Sequence, residues 1–134
     1  MLVVPVEIRK SEIHGQGVFA LRDIKAGSVI WIFDHLDQRW DRWVVENFED
    51  RLMNFVQERG YVNHKNQVVL PSDEAQFLNF PPRDQAANLR LGGLMDGEYC
   101  LIAELDIQAG TELTVPPNSD ADYERKMARH ASGR

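Results

Sequence analysis

The sequence predicts one mostly-β domain with helical insertions, and three observations predict it. Two twelve-residue stretches repeat one phrase: residues 19–30 read FALRDIKAGSVI and residues 102–113 read IAELDIQAGTEL. Short apolar runs bounded by Gly, Pro, Asn and Asp recur along the chain, the pattern of short strands joined by turns. Only residues 41–59 carry the three- and four-residue apolar spacing of a long amphipathic helix.

The repeated phrase fixes local structure twice. Five of its twelve positions are identical, namely Ala20/Ala103, Asp23/Asp106, Ile24/Ile107, Ala26/Ala109 and Gly27/Gly110. Its chemistry is a strand, a tight corner and a second strand. Asp23 and Asp106 are suited to accept hydrogen bonds from nearby backbone N–H groups, as Asp does at turns. Ile24 and Ile107 point to a core. Gly27 and Gly110 supply a backbone angle that side chains resist. Two copies are too few for a repeat array. They are expected as two corners of one β domain, the plainer alternative being two unrelated turns of similar composition.

The other elements follow in order. Residues 3–8 read as a first strand, with Pro5 marking an edge, and residues 10–17 as a turn-rich loop. Strands at 17–21 and 28–33 belong to the first phrase, and 34–39 reads as loop. The helix at 41–59 gathers Val44, Val45, Phe48, Leu52, Phe55 and Val56 on one face, with Asp41 as N-cap and Gly60 as stop. Trp31, Trp40 and Trp43 are expected to anchor that helix to a sheet, ligand stacking being the alternative. A strand at 67–70 precedes a short helical segment at 73–78, capped by Ser72 and ended by Pro81-Pro82. Strands at 88–91 and 98–104 are joined through Gly92-Gly93 and Asp96-Gly97, and 112–115 is the last strand. Residues 119–131 read as a polar terminal helix, so the chain divides into a domain at 1–118 and a tail at 119–134.

Composition narrows the function. A chain of 134 residues is one domain and can bury a core of its own. With 15 basic and 21 acidic residues the net charge is −6, which argues against a nucleic-acid groove and fits a basic protein or peptide partner. Cys100, the single cysteine, sits in an apolar run and reads as a buried small hydrophobe. That usage fits a reducing compartment such as the cytoplasm. No apolar run approaches a membrane span, and the opening residues are too short a stretch for a signal peptide. His14, His35, His64 and His130 are scattered without a second ligand at metal-site spacing, so no metal site is expected.

Residues 11–30 read together as S-x-x-H-G-x-G-V-F-A-x-x-D-I-x-A-G-x-x-I. A second such corner lies near the C-terminus, and Asp73-Glu74-Ala75-Gln76-Phe77-Leu78-Asn79 lies between them. In this ordered set, spanning residues 6–115, the chain resembles the SET domain of protein-lysine methyltransferases. The resemblance implies a fold of small curved sheets around a threaded C-terminal segment. It implies S-adenosylmethionine as cofactor and a lysine of a basic protein or peptide as substrate. Carried over by position, His14, Gly15, Gln16 and Gly17 form the cofactor loop, and Asn79 with Phe80 holds the adenosine end. Without the family, a G-x-G turn is a weak signal of close ligand approach, and Asn79 alone reads as a helix C-cap. Flanking domains complete the lysine channel in the family; for a chain this short the corresponding expectation is a homodimer, whose second copy supplies the missing wall.

The chain also departs from the family pattern. Phe80 and Pro81 replace a histidine and a serine in the central motif. The following P-N appears only as Ala87-Asn88, three residues late. The closing E-L-T-x-D-Y reads Glu112-Leu113-Thr114-Val115-Pro116-Pro117, so Pro117 takes the place of a catalytic tyrosine and brings no hydroxyl. Tyr61, Tyr99 and Tyr123 are the candidate substitutes, with Tyr99 read as core. Catalytic residues are therefore not assigned. Two functions stand: a SAM-dependent protein-lysine methyltransferase, weakened or lost, and a non-catalytic SET-like binding or assembly module, in effect a pseudoenzyme.

Overall fold

The repeated phrase becomes a pair of clasped corners. In the computed structural model, which describes residues 1–117, Ile24 and Ile107 exchange backbone hydrogen bonds of 2.7 and 2.8 Å. Asp23 Oδ1 accepts from the Ala109 N–H at 2.8 Å, and Asp106 Oδ1 accepts from the Ala26 N–H at 2.9 Å. The Gly27 N–H donates to the Ala103 carbonyl and the Gly110 N–H to the Ala20 carbonyl. Each bond of one copy has its counterpart in the other, so the corners are related by a local pseudo-twofold. The two aspartates were expected to serve nearby backbone; the N–H groups they meet are near in space but 86 and 80 residues away in sequence. Gly27 and Gly110 sit at φ +85° and +88°, as a corner of this kind demands. Asp23→Ala and Asp106→Ala are each expected to cost about 1 kcal/mol by urea denaturation, because each deletes one acceptor of an equivalent pair. Clearly unequal costs would break the symmetry argument.

Around these corners lie three small antiparallel sheets. β1 (Val6–Lys10) pairs with β2 (Gln16–Ala20); β3 (Val29–Trp31), β8 (Glu98–Ala103) and β7 (Leu89–Met95) form a second sheet in the order β3-β8-β7. β4 (Gln38–Asp41), β6 (Gln67–Leu70) and β5 (Tyr61–Val62) form the third, in the order β4-β6-β5. The main core joins Val18, Ala20, Ile24, Ile30, Trp31, Val69, Leu78, Leu89, Ile107 and Leu113, so both corners are anchored in it by their isoleucines while their aspartates and glycines stay exposed. Cys100 is buried as expected. β7 and β8 close on Asp96-Gly97, both at positive φ, the geometry of a two-residue hairpin turn. Gly92-Gly93 is not part of that turn; it lies inside β7, where the register shifts between Leu91 and Leu94.

The expected long helix is two. α1 (Arg42–Glu46) and α2 (Asp50–Arg59) are separated at residues 47–49. The Asn47 side chain donates to the Trp43 carbonyl at 2.7 Å, and the Asn47 and Phe48 N–H groups bond back three residues to Val44 and Val45. A short polar side chain thus takes the carbonyl that a continuing helix would use. Phe48 turns down onto Trp40, edge to face at 5.6 Å. The buried faces carry Val45 and Val56, with Phe48 and Met53 packed on them, while Leu52 and Phe55 stay exposed. Asp41 occupies the N-cap position without a side-chain cap bond. Gly60 follows α2 in extended backbone; a Cβ there would lie 2.5 Å from the Val69 carbonyl oxygen, so close approach is what requires glycine.

Of the three tryptophans expected to anchor the helix to a sheet, only Trp40 does so. Trp31 is in the core, Trp40 packs on Phe48, and Trp43 is 66% exposed, on the face of α1 away from the buried Val45. A strand, β4, occupies residues read as loop and helix cap. The short helical segment is a 3-10 turn, Glu74–Phe77, capped by Asp73 and not by Ser72, whose N–H donates to Asp37. Tyr99 is half-buried, its ring edge-on to His64 at 4.8 Å, and so lies outside the core. The helix expected at 119–131, with Tyr123, lies outside the described residues.

The segment at 111–115 is inserted between two partners. On one edge the Ala20 N–H donates to the Thr111 carbonyl and the Leu113 N–H to the Val18 carbonyl. On the other edge the Leu89 N–H donates to the Thr114 carbonyl, while the Val115 N–H, on the first edge two residues past Leu113, donates to the Asn79 carbonyl. Asn88 clasps the segment with its side chain, donating to the Glu112 carbonyl at 2.8 Å and accepting from the Thr114 N–H at 2.8 Å. The late asparagine after the extended 82–87 loop therefore holds the C-terminal segment in place.

Candidate functional site

The glycine bend and Asn79 meet. The Asn79 side-chain nitrogen lies 3.0 Å from the His14 carbonyl, 3.1 Å from the Gln16 carbonyl and 2.9 Å from Glu112 Oε2. Three acceptors surround it, so this end of the amide is the NH₂ group. Two hydrogens serve the three oxygens, which leaves none for a ligand. Asn79 is 4% exposed and acts on the loop from behind.

Glu112 is the second support, and sequence reasoning gave it no role. Its Oε1 accepts from the Ser11 hydroxyl at 2.7 Å, while that hydroxyl oxygen accepts from the Ile13 N–H at 2.9 Å. Ser11, Glu112 and Asn79 thus tie the start of the loop to the C-terminal segment and the central motif. A serine followed by two backbone donors, an ST-type turn, was the signal for Ser11. For Glu112 only its place at the end of the second phrase pointed the way.

Gly17 is buried, and the space beside it belongs to the protein. A Cβ there would lie 2.3 Å from Glu112 Oε2 and 2.7 Å from its Cδ. Its missing side chain therefore admits the Glu112 carboxylate, whereas the sequence reading had a ligand approach. Gly15, at φ +48°, and Gln16 are exposed and form the part of the loop open to a ligand; His14 is half-buried. Phe80 and Pro81 are both buried, so the two departures of the central motif are absorbed inside the molecule. The carbonyls of His14 and Gln16 both accept from the Asn79 side chain, and the Glu112 carboxylate lies behind them.

The Tyr61 hydroxyl is engaged elsewhere. The Tyr61 hydroxyl donates to Glu98 Oε1 at 2.9 Å, and burial, reinforced by the Glu98 charge, pushes that phenol well above its usual range. Tyr61 also lines a recess with Arg42, Gln57, Gly60, Val62 and Val68, on the side of the third sheet. Among the described residues no group of His, Cys, Asp and Glu is placed to hold a metal ion, and no helix is long and apolar enough to cross a membrane.

The fold is shared with a solved structure. The crystal structure of a protein from Plasmodium falciparum, described as a putative histone methyltransferase, superposes with a TM-score of 0.62 at 21% identity, covering 88% of this chain and 97% of that one. The likeness is one of fold: small antiparallel sheets with few helices, consistent with a SET-like architecture. No protein-family model and no curated protein matches the chain.

Proposed function

We propose that the chain is a SET-type domain that binds S-adenosylmethionine along residues 14–17, with Asn79 and Phe80 behind them. Its transfer of the methyl group to a lysine of a basic protein is slow. The observation that supports the first half is the convergence of Asn79 on the His14 and Gln16 carbonyls. The loop is held in one shape before any ligand arrives, which lowers the ordering cost of binding. When bound, S-adenosylmethionine supplies a sulfonium methyl for an amine. Residues 14–17 contribute backbone acceptors and a fixed position, so the catalysis available here is chiefly that of alignment.

The second half rests on Pro117. The family's tyrosine hydroxyl is lost there, the Tyr61 hydroxyl is spent on Glu98, and Tyr99 turns its ring edge to His64. These observations favour, as a second reading, a module that binds cofactor or protein without turnover.

Calorimetric titration with S-adenosylmethionine tests the first half: binding is expected, and no heat at millimolar cofactor overturns it. Pro117→Tyr tests the second. Measured as labelled methyl incorporated into a basic protein, its rate is expected to exceed the wild-type rate by about 10²-fold, the typical worth of one acid–base group. A variant that binds cofactor and transfers no faster supports the binding module.

A further inference from the structure

The Glu112 carboxylate lies beneath Gly17, held at one oxygen by the Ser11 hydroxyl at 2.7 Å and at the other by the Asn79 amide at 2.9 Å. Both partners are neutral. Among the described residues no lysine, arginine or histidine forms an ion pair with it. Arg9, which pairs with Gly17 across β1 and β2, is turned to Glu7 at 2.9 Å and to the Gly110 carbonyl at 3.0 Å, and lies over the Phe19 ring. The loop therefore has a fixed negative charge immediately behind it and no fixed positive charge bound to that carboxylate.

We propose that Glu112 makes the 14–17 loop charge-selective, favouring S-adenosylmethionine over the demethylated product, S-adenosylhomocysteine. The inference rests on the cofactor reading above. Methyl transfer turns a sulfonium cation into a neutral thioether, so the two ligands differ at sulfur by one unit of charge. A half-buried carboxylate interacts with that difference through a medium less polar than water, and the preference falls on the charged form. The same difference eases release of the product once the methyl group has left.

The test is the ratio of the two affinities, measured by calorimetry on the wild type, Glu112→Gln and Ser11→Ala. The wild type is expected to prefer the sulfonium ligand. Glu112→Gln keeps the shape and removes the charge, and is expected to lower the ratio by about three- to ten-fold. Ser11→Ala loosens the loop and keeps the charge, so it weakens both ligands and leaves the ratio in place. A Glu112→Gln ratio equal to wild type, with both ligands still bound, overturns the inference and spares the cofactor reading. Failure of the wild type to bind either ligand overturns the cofactor reading itself. Should Glu112→Gln not fold, the wild-type ratio is followed from low to high salt; it is expected to fall as screening rises, and a flat ratio overturns the proposal.

Discussion

Replacing Glu98 with alanine is expected to cost about 3–5 kcal/mol, the range for breaking a buried charged pair by deleting one partner. Glu98 is 1% exposed. Its Oε1 accepts from the Tyr61 hydroxyl at 2.9 Å, and its Oε2 accepts from Arg39 at 3.2 Å and from the Asn63 side chain at 3.0 Å. These donors come from β5, from β4 and from the turn between β5 and β6, so one carboxylate on β8 ties the third sheet to the second. Alanine leaves a cavity and removes the acceptor of the Tyr61 phenol and of the Arg39 guanidinium, while the Asn63 amide keeps Gln67 Oε1 at 3.1 Å. Urea denaturation of Glu98→Ala reads the cost, and a loss under about 1 kcal/mol would show the cluster to be dispensable. The phenol adds a pH signature. Its folded pKa is raised above the ordinary 10.0, so its contribution is complete below that value and is lost as pH climbs beyond it. Phenolate absorbance from Tyr61 is therefore expected only as the wild-type protein unfolds in alkali.

Asp37→Ala carries the second large effect, about 2–3 kcal/mol at neutral pH, from stranding buried donors. The Asp37 side chain is fully buried. Oδ1 accepts from the Ser72 N–H at 2.8 Å, and Oδ2 from the Asp34 N–H at 2.9 Å and the Met1 amine at 3.1 Å. Burial by itself would raise its pKa; the backbone bonds from Asp34 and Ser72 and the amine outweigh it, and the net shift is downward from 3.8. A lowered folded pKa means that the stabilisation is present above the unfolded value and drains away as pH falls below it through the folded one. Asp37→Asn is therefore expected to lose less stability than wild type between pH values just above and well below 3.8. Parallel acid limbs for the two proteins would refute this assignment.

The two corners and the meeting of loop with asparagine were legible in the sequence because their chemistry is local. Gly27 and Gly110 announce positive φ, Ile24 and Ile107 announce burial, and the ordered set of phrases places Asn79 with residues 14–17. The break after α1 was not legible, since the apolar spacing continues through it and only the reach of Asn47 back to the Trp43 carbonyl ends the helix. Nor was the exposure of Trp43, whose neighbour Val45 takes the buried face of α1. Glu98 gave no sign of its work, and Glu112 none beyond its place in the second phrase: a glutamate reads as surface until the chain brings donors to it from 33 to 101 residues away.

By itself, then, the sequence determined which segments turn, which bury and which family of folds they compose, because those properties depend on residues adjacent in the chain. Tertiary structure alone decided that the two aspartates cross over to serve each other's corner, that Gly17 makes room for Glu112, and that both amide hydrogens of Asn79 are spent within the protein. Each of these is a contact between distant segments. Its energy depends on burial and on which donors converge, and neither exists until the chain has folded.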